Sequence, residues 1–163
     1  MKNIYKHGNY AIYQGNLLKL KYKELPENEK CTNSVCTFFK NTCYSIVLFT
    51  DKETINVKSV QEIDSAFCIG TAVSILGVDY SLFGEINDEG LLLDVPVIQF
   101  ESIKSLSIKW HRYDRDSYVI LLPYEKIDSI WYERVPVLDL PFNSPKITYI
   151  KMFGQWLDEP LDG

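Results

Sequence analysis

Histidine is nearly absent from this 163-residue chain, which carries only His7 and His111. Two imidazoles give few ways to set a general base beside a nucleophile. Cysteine is sparse too. Cys31, Cys36, Cys43 and Cys68 stand apart with no C-x-x-C pair, which disfavours a structural zinc site and predicts buried or idle thiols in a reducing compartment. No apolar run approaches about 18 residues, the length a spanning helix needs, and the first eight residues hold no apolar leader core. The expectation is a cytoplasmic protein with no membrane partner. Phosphate-cradling glycine loops and the G-x-S-x-G elbow are missing, and Glu85, Asp88 and Glu89 lack the alternating spacing of a calcium loop. No catalytic residue, metal ligand or cofactor is therefore expected, and the chain reads as a non-enzyme.

What is present is an ordinary globular composition, 46% hydrophobic and 24% charged, with eleven tyrosines in an aromatic share of 13%. Such flat rings pack well on pleated sheets. The net charge of −5 is unevenly spread: residues 1–60 hold nine Lys or Arg against five Asp or Glu, and residues 61–163 hold eight against seventeen. An acidic later part opposes non-specific nucleic-acid binding, which needs a basic stripe, and suits a basic protein partner.

Alternation marks strands. Leu18, Leu20 and Tyr22 share one face opposite Lys19, Lys21 and Lys23, and Leu106, Ile108 and Trp110 share one opposite Ser107, Lys109 and His111. The apolar runs Ser45–Phe49, Leu91–Leu93 and Tyr118–Leu122 are short and rich in β formers, as central strands are. Turn signals at Gln14-Gly15-Asn16, Leu76–Asp79, Asn87–Gly90 and Tyr113–Asp116 separate them, the last two as hairpin tips. Residues 25–43 are an irregular insertion.

One phrase occurs three times: Glu62-Ile63-Asp64-Ser65, Glu101-Ser102-Ile103-Lys104-Ser105 and Glu125-Lys126-Ile127-Asp128-Ser129. A strand ends, the isoleucine drops into the core, and the polar residues face water or bond the backbone nearby. A polar residue in place of Ile63 or Ile127 then destabilises the fold by a few kcal/mol. Tyr10–Gly15 also resembles Ala72–Gly77, so residues 8–68 and 70–134 read as two copies of one β unit. The expected organisation is a first β unit over 1–69, a second over 70–135 and a proline-marked extension over 136–163. Within that extension Ser144 and Pro145 form a helix-start signal, and Ile147, Ile150, Phe153, Trp156 and Leu157 would line one helical face. Ile147–Ile150 carries strand propensity as well. The acidic tail Asp158–Asp162 reads as frayed.

His111–Asp116 is the only cluster mixing histidine, carboxylates and arginines, and on a strand followed by a tip it reads as an exposed hairpin. Trp131 and Tyr132 are strand neighbours facing opposite ways, so one of them is expected to be exposed. Aromatic residues beside carboxylates suit an anchor for a basic partner. The candidate partner-binding residues are Trp131, Tyr132, Tyr113, Asp114, Asp116, Glu85, Asp88 and Glu89.

Tyr10-Ala11-Ile12-Tyr13-Gln14-Gly15, the strand ending at Thr50-Asp51, and Val60-Gln61-Glu62-Ile63 leading into Phe67-Cys68-Ile69 resemble the tandem SH3-like β-barrel proteins of bacteria that serve as immunity proteins beside polymorphic or contact-dependent toxins. The resemblance spans about residues 8–134 and carries over no catalytic residue. It implies a mainly β fold of two small SH3-like antiparallel barrel or sheet units packed together, and a toxin inhibitor whose partner is a cognate toxin, for instance a basic nuclease domain. The insertion at 25–43 and the C-terminal extension depart from the pattern. The alternative is a single pleckstrin-homology-like β domain with a regulatory or ligand-binding role, for which Lys19, Lys21 and Lys23 would supply the basic pocket.

Overall fold

The computed structural model describes residues 7–25, 44–82 and 89–163. Most of the expected insertion, three of the four cysteines, and the candidates Glu85 and Asp88 lie outside the described residues. The chain is mainly β, with antiparallel sheets and one short helix among the described residues. It divides into two compact units, His7–Ile69 with Arg134–Pro145, and Gly70–Glu133 with Lys146–Gly163.

In the first unit, β1 (Gly8–Tyr13) and β2 (Asn16–Glu24) are joined by Gln14 and Gly15 at φ 50° and 75°. That is the left-handed pair of a type I′ hairpin turn, whose twist matches the strands it connects. β2 pairs with β3 (Tyr44–Phe49), β3 with the short β4 (Thr54–Asn56), and β1 with the Ile63–Ile69 part of β5 (Ile63–Ile75). Strand alternation sends Ala11, Leu20, Ile46, Leu48 and Ala66 to one buried face. Val137 and Leu140 join that core, and the Ala66 N–H donates to the Pro141 carbonyl at 2.7 Å.

The second unit repeats the opening move. β5 turns at Leu76 and Gly77, φ 52° and 76°, into β6 (Val78–Ser81). The chain continues through β7 (Leu91–Pro96), α1 (Val97–Ile103), β8 (Lys109–Arg112), β9 (Ser117–Leu122), β10 (Ser129–Pro136), β11 (Ile147–Met152) and β12 (Gln155–Asp162). Here the three-stranded sheet has the order β7-β9-β8, with α1 carrying the chain across, whereas β2, β3 and β4 lie in chain order. Inward residues of β5, β7, β9 and β10 meet Phe100 and Ile103 of α1 in one core.

The repeated phrase marks a corner in both units. A single 3-10 turn at Val60–Glu62 precedes buried Ile63, and one at Tyr124–Lys126 precedes buried Ile127. The third copy differs, because buried Ile103 closes a helix rather than a strand. The acidic residue after the isoleucine does more than face water: Asp64 Oδ2 accepts the Gly15 N–H at 3.5 Å, and Asp128 Oδ2 accepts the Leu76 N–H at 2.7 Å. Each corner thus steadies the hairpin turn of its own unit. At 2% exposure Ile63 loses its burial on replacement by threonine, and denaturant titration should show a loss of about 2 kcal/mol; unchanged stability would contradict the corner assignment.

Three expectations are corrected. The sheets stay open and do not close into a barrel. The C-terminal extension forms no helix: β11 and β12 are a hairpin turning at Phe153 and Gly154, φ 49° and 79°, a left-handed pair no right-handed helix accepts. The β-branched residues of Ile147–Ile150 prevail over the helical spacing, so the described chain does not end in the helix of a pleckstrin-homology-like domain. The acidic tail is not frayed either, since Asp162 pairs with Thr148 and its Oδ1 accepts the Thr148 hydroxyl at 2.8 Å.

Candidate functional site

β8 is an edge strand whose four residues are all exposed. Its expected partners on one face separate in the structure: Leu106 packs on the core from a 3-10 turn, while Ile108 and Trp110 are 47% and 46% exposed. Trp110 sits where the sheet's inner face runs out beside α1. Phe100 of α1 stacks on Tyr118 of β9, centroids 3.8 Å apart and planes 6° from parallel, and Trp110 meets both edge-on at 5.0 and 5.9 Å. Lys104 places its ammonium 4.9 Å from the Trp110 ring and 5.3 Å from Phe100, and the Arg112 guanidinium lies 5.9 Å from Tyr118. Three rings and two cations thus form one interlocked cluster on the surface of the second unit. Geometries of this kind are worth about 0.5–1.5 kcal/mol per aromatic pair beyond burial.

The hairpin tip beside this cluster is pinned by its own residues. Asp114 Oδ1 accepts the N–H groups of Asp116 and Ser117 at 2.7 and 2.8 Å and the Ser117 hydroxyl at 3.1 Å. Arg112 donates to the carbonyls of Asp114 and Arg115. The Asp116 N–H above all holds the Asp114 carboxyl below the usual carboxylate range, with Ser117 and Arg112 acting in the same direction. Tyr113, 55% exposed, projects from this fixed tip, and Ile98 of α1 is 91% exposed. The Val97 N–H donates to the Asp116 carbonyl at 2.9 Å, which ties the start of α1 to the tip.

The sequence-derived candidates do not converge. Tyr113, Asp114 and Asp116 share the tip, but the Asp114 carboxylate is spent on the turn. Glu89 lies within 3.9 Å of Lys109, at the opposite end of β8. Trp131 and Tyr132 are both buried, at 6% and 7% exposure, against the expectation that one faces water. Strict alternation fails on β10: the register slips between Ile130 and Trp131, Ile130 enters the core, and Trp131 packs 5.9 Å from Tyr149 while its Nε1 donates to Glu133. Sequence reading missed Trp110, Phe100, Tyr118 and Lys104 as one group. A usable signal was there, because Phe100 and Lys104 are four apart on one helix face.

No protein-family model, curated protein or solved structure matches this chain. The site is therefore read from its own chemistry. His111 and Asp94 occupy the other face of the three-stranded sheet, both in register with Val119, which places them two strands or about 10 Å apart. Asp94 Oδ1 is buried without a hydrogen-bond partner. That separation is too long for a base and its orienting carboxylate. Among the described residues no group of three His, Cys, Asp or Glu could hold a metal ion, and no helix is long and apolar enough to cross a membrane.

Proposed function

We propose that this chain is a protein-binding β protein that neutralises a partner protein, and that the contact surface is the β8–β9 hairpin with α1. The observation that carries the reading is the exposure of Ile98, Trp110 and Tyr113 on these elements, with the Trp110 ring held against Phe100, Tyr118 and Lys104. Aromatic anchors whose conformations are fixed before binding lose little entropy on association, and Trp and Tyr dominate the residues that hold interfaces together. Lys104 lies over ring faces with Glu101 3.6 Å from its ammonium, Arg112 is committed to the tip, and Glu101 and Asp116 stand exposed at its margin. Such carboxylates suit a basic partner. The resemblance to tandem SH3-like immunity proteins supplies the partner class, a cognate bacterial toxin of basic, nuclease type.

Co-expression with the products of adjacent open reading frames tests this. One of them should be toxic alone, be neutralised by this chain, and co-purify with it. Trp110→Ala with Tyr113→Ala should weaken that complex at least about tenfold, the loss expected when central aromatic anchors are truncated, without unfolding the protein. Failure to protect against every neighbour, or full affinity in the double variant, would refute the reading.

A further inference from the structure

A second surface, on the first unit and independent of the hairpin above, has a chemistry of its own. The register aligns Phe67 of β5, Tyr10 of β1, Lys19 of β2 and Phe49 of β3 in one row across the sheet. These residues alternate with the buried Ala66, Ala11, Leu20 and Leu48, so the row lies on the face opposite that cluster; Phe67 at its end is itself buried, and the open part of the row is Tyr10, Lys19 and Phe49. Lys21 and Lys23 continue along β2 on that same face, and all three lysines are exposed. The Lys21 ammonium lies 5.0 Å from the Phe49 ring, and the Arg134 guanidinium 5.4 Å from Phe67. Tyr10 and Phe49 are half-buried.

No Asp or Glu occupies an outward position of β1, β2, β3 or β4; Glu24, the only carboxylate in these strands, alternates to the other face. A face of lysines alone on a chain of net charge −5 is a local feature and no by-product of composition. The acidity that opposes nucleic-acid binding resides in residues 61–163, whereas the lysines belong to the basic first stretch. Successive outward lysines on a strand are about 6.8 Å apart, twice the strand rise, a spacing suited to consecutive phosphates of an extended, unstacked strand. Aromatic rings set among them offer stacking platforms, the combination by which sheet surfaces bind single strands.

We propose that this face binds single-stranded nucleic acid, with Lys19, Lys21 and Lys23 on the phosphates and Tyr10 and Phe49 stacking on bases. An acidic polypeptide would use the lysines but leave the rings idle, and an anionic bilayer would call for more projecting apolar groups than the exposed Leu17 that β2 adds to this face.

Fluorescence anisotropy of labelled twelve-residue oligo(dT) and oligo(U), with a duplex of equal length as comparator, tests the assignment. Both single strands should bind in the micromolar range, as non-specific complexes do, with a log–log salt slope of about −2 for three phosphates on a single strand. Lys19→Glu with Lys21→Glu should weaken binding at least about tenfold and flatten that slope. Tyr10→Leu with Phe49→Leu should weaken binding about tenfold at unchanged slope, since stacking is lost while the charges remain. Thermal melts confirm that each variant folds. No binding up to about 100 µM, the weak end of the non-specific range, would overturn the proposal. So would binding that survives the lysine reversals, binding indifferent to the ring replacements, equal binding of duplex, or equal binding of polyglutamate or phosphatidylserine vesicles.

Discussion

Replacing Lys151 by methionine should destabilise the second unit by about 2–3 kcal/mol, more than any surface lysine of this chain, even though methionine keeps the length of the stem. Lys151 is 2% exposed, and its Nζ donates to the carbonyls of Tyr124 and Ile127 at 2.6 Å each. It therefore closes the 3-10 corner at Tyr124–Lys126, ahead of Ile127. Removing the ammonium takes from the Ile127 carbonyl the donor that satisfies it, a loss of about 1–3 kcal/mol for a buried acceptor, and leaves the Tyr124 carbonyl with the Ile127 N–H at 3.2 Å. Relief of the cation's own desolvation offsets part of this, but the carbonyls cannot be removed with it. The Trp156 ring, 5.7 Å from Nζ, adds a face that only a cation uses.

The pH dependence has a definite sign. Burial lowers the Lys151 pKa below its unfolded value of 10.5, with the Glu125 and Asp128 carboxylates partly restoring it. Between the depressed folded value and 10.5 the unfolded chain holds more protons than the folded one, so wild-type stability rises with pH in that window. Lys151→Met lacks this slope. The gap between the two proteins should therefore widen as pH climbs toward 10.5, as read by urea titration at several pH values. A gap that narrows over that range would contradict the buried position of the ammonium.

The other large effect falls on a glycine chosen for space and not for backbone angle. A Cβ at Gly90 would lie 2.0 Å from the Leu122 carbonyl oxygen, 2.7 Å from its carbon and 3.1 Å from Pro123 Cα. These are backbone atoms, which cannot rotate aside, so Gly90→Ala must push β7 and the end of β9 apart. The expected loss is about 3 kcal/mol, at the upper end for overpacking. Gly77→Ala is the comparison, since at φ +76° its Cβ meets nothing within 4 Å and the strain is that of a left-handed alanine, about 1–2 kcal/mol. Equal losses in the two variants would mean that the strands separate freely at Leu122.

Much of this architecture was legible from local pattern. The lysine alternation at 19–23 is a strand with Leu20 buried, Tyr118–Leu122 is the middle strand of its sheet, and the isoleucine corners sit where the phrase puts them. Local pattern failed where two signals competed. The spacing of Ile147, Ile150 and Phe153 fits a helix as well as an irregular hairpin, and only the left-handed turn at Phe153-Gly154 decides between them. It failed again at Trp131 and Tyr132, because a register slip against β11 is a property of two strands together. The aromatic cluster was legible only in its Phe100–Lys104 pair for the same reason: Phe100, Trp110 and Tyr118 come from three elements, and no spacing within one of them announces the three rings together.

Asp128 has a further consequence, for the order in which the second unit forms. The turns at Leu76-Gly77 and Phe153-Gly154 are encoded by adjacent residues, and hairpins of this kind close within about 1–10 µs. Their locks are not local. The Asp128 side chain accepts the Leu76 N–H, and its carbonyl accepts the Gly154 N–H at 2.7 Å. Each hairpin can flicker early, but its turn amide gains protection only after the chain between that turn and Asp128 has found its place. Solvent shielding of those two amides is thus a clock for completion of the unit, and slow, non-local closure sets its pace.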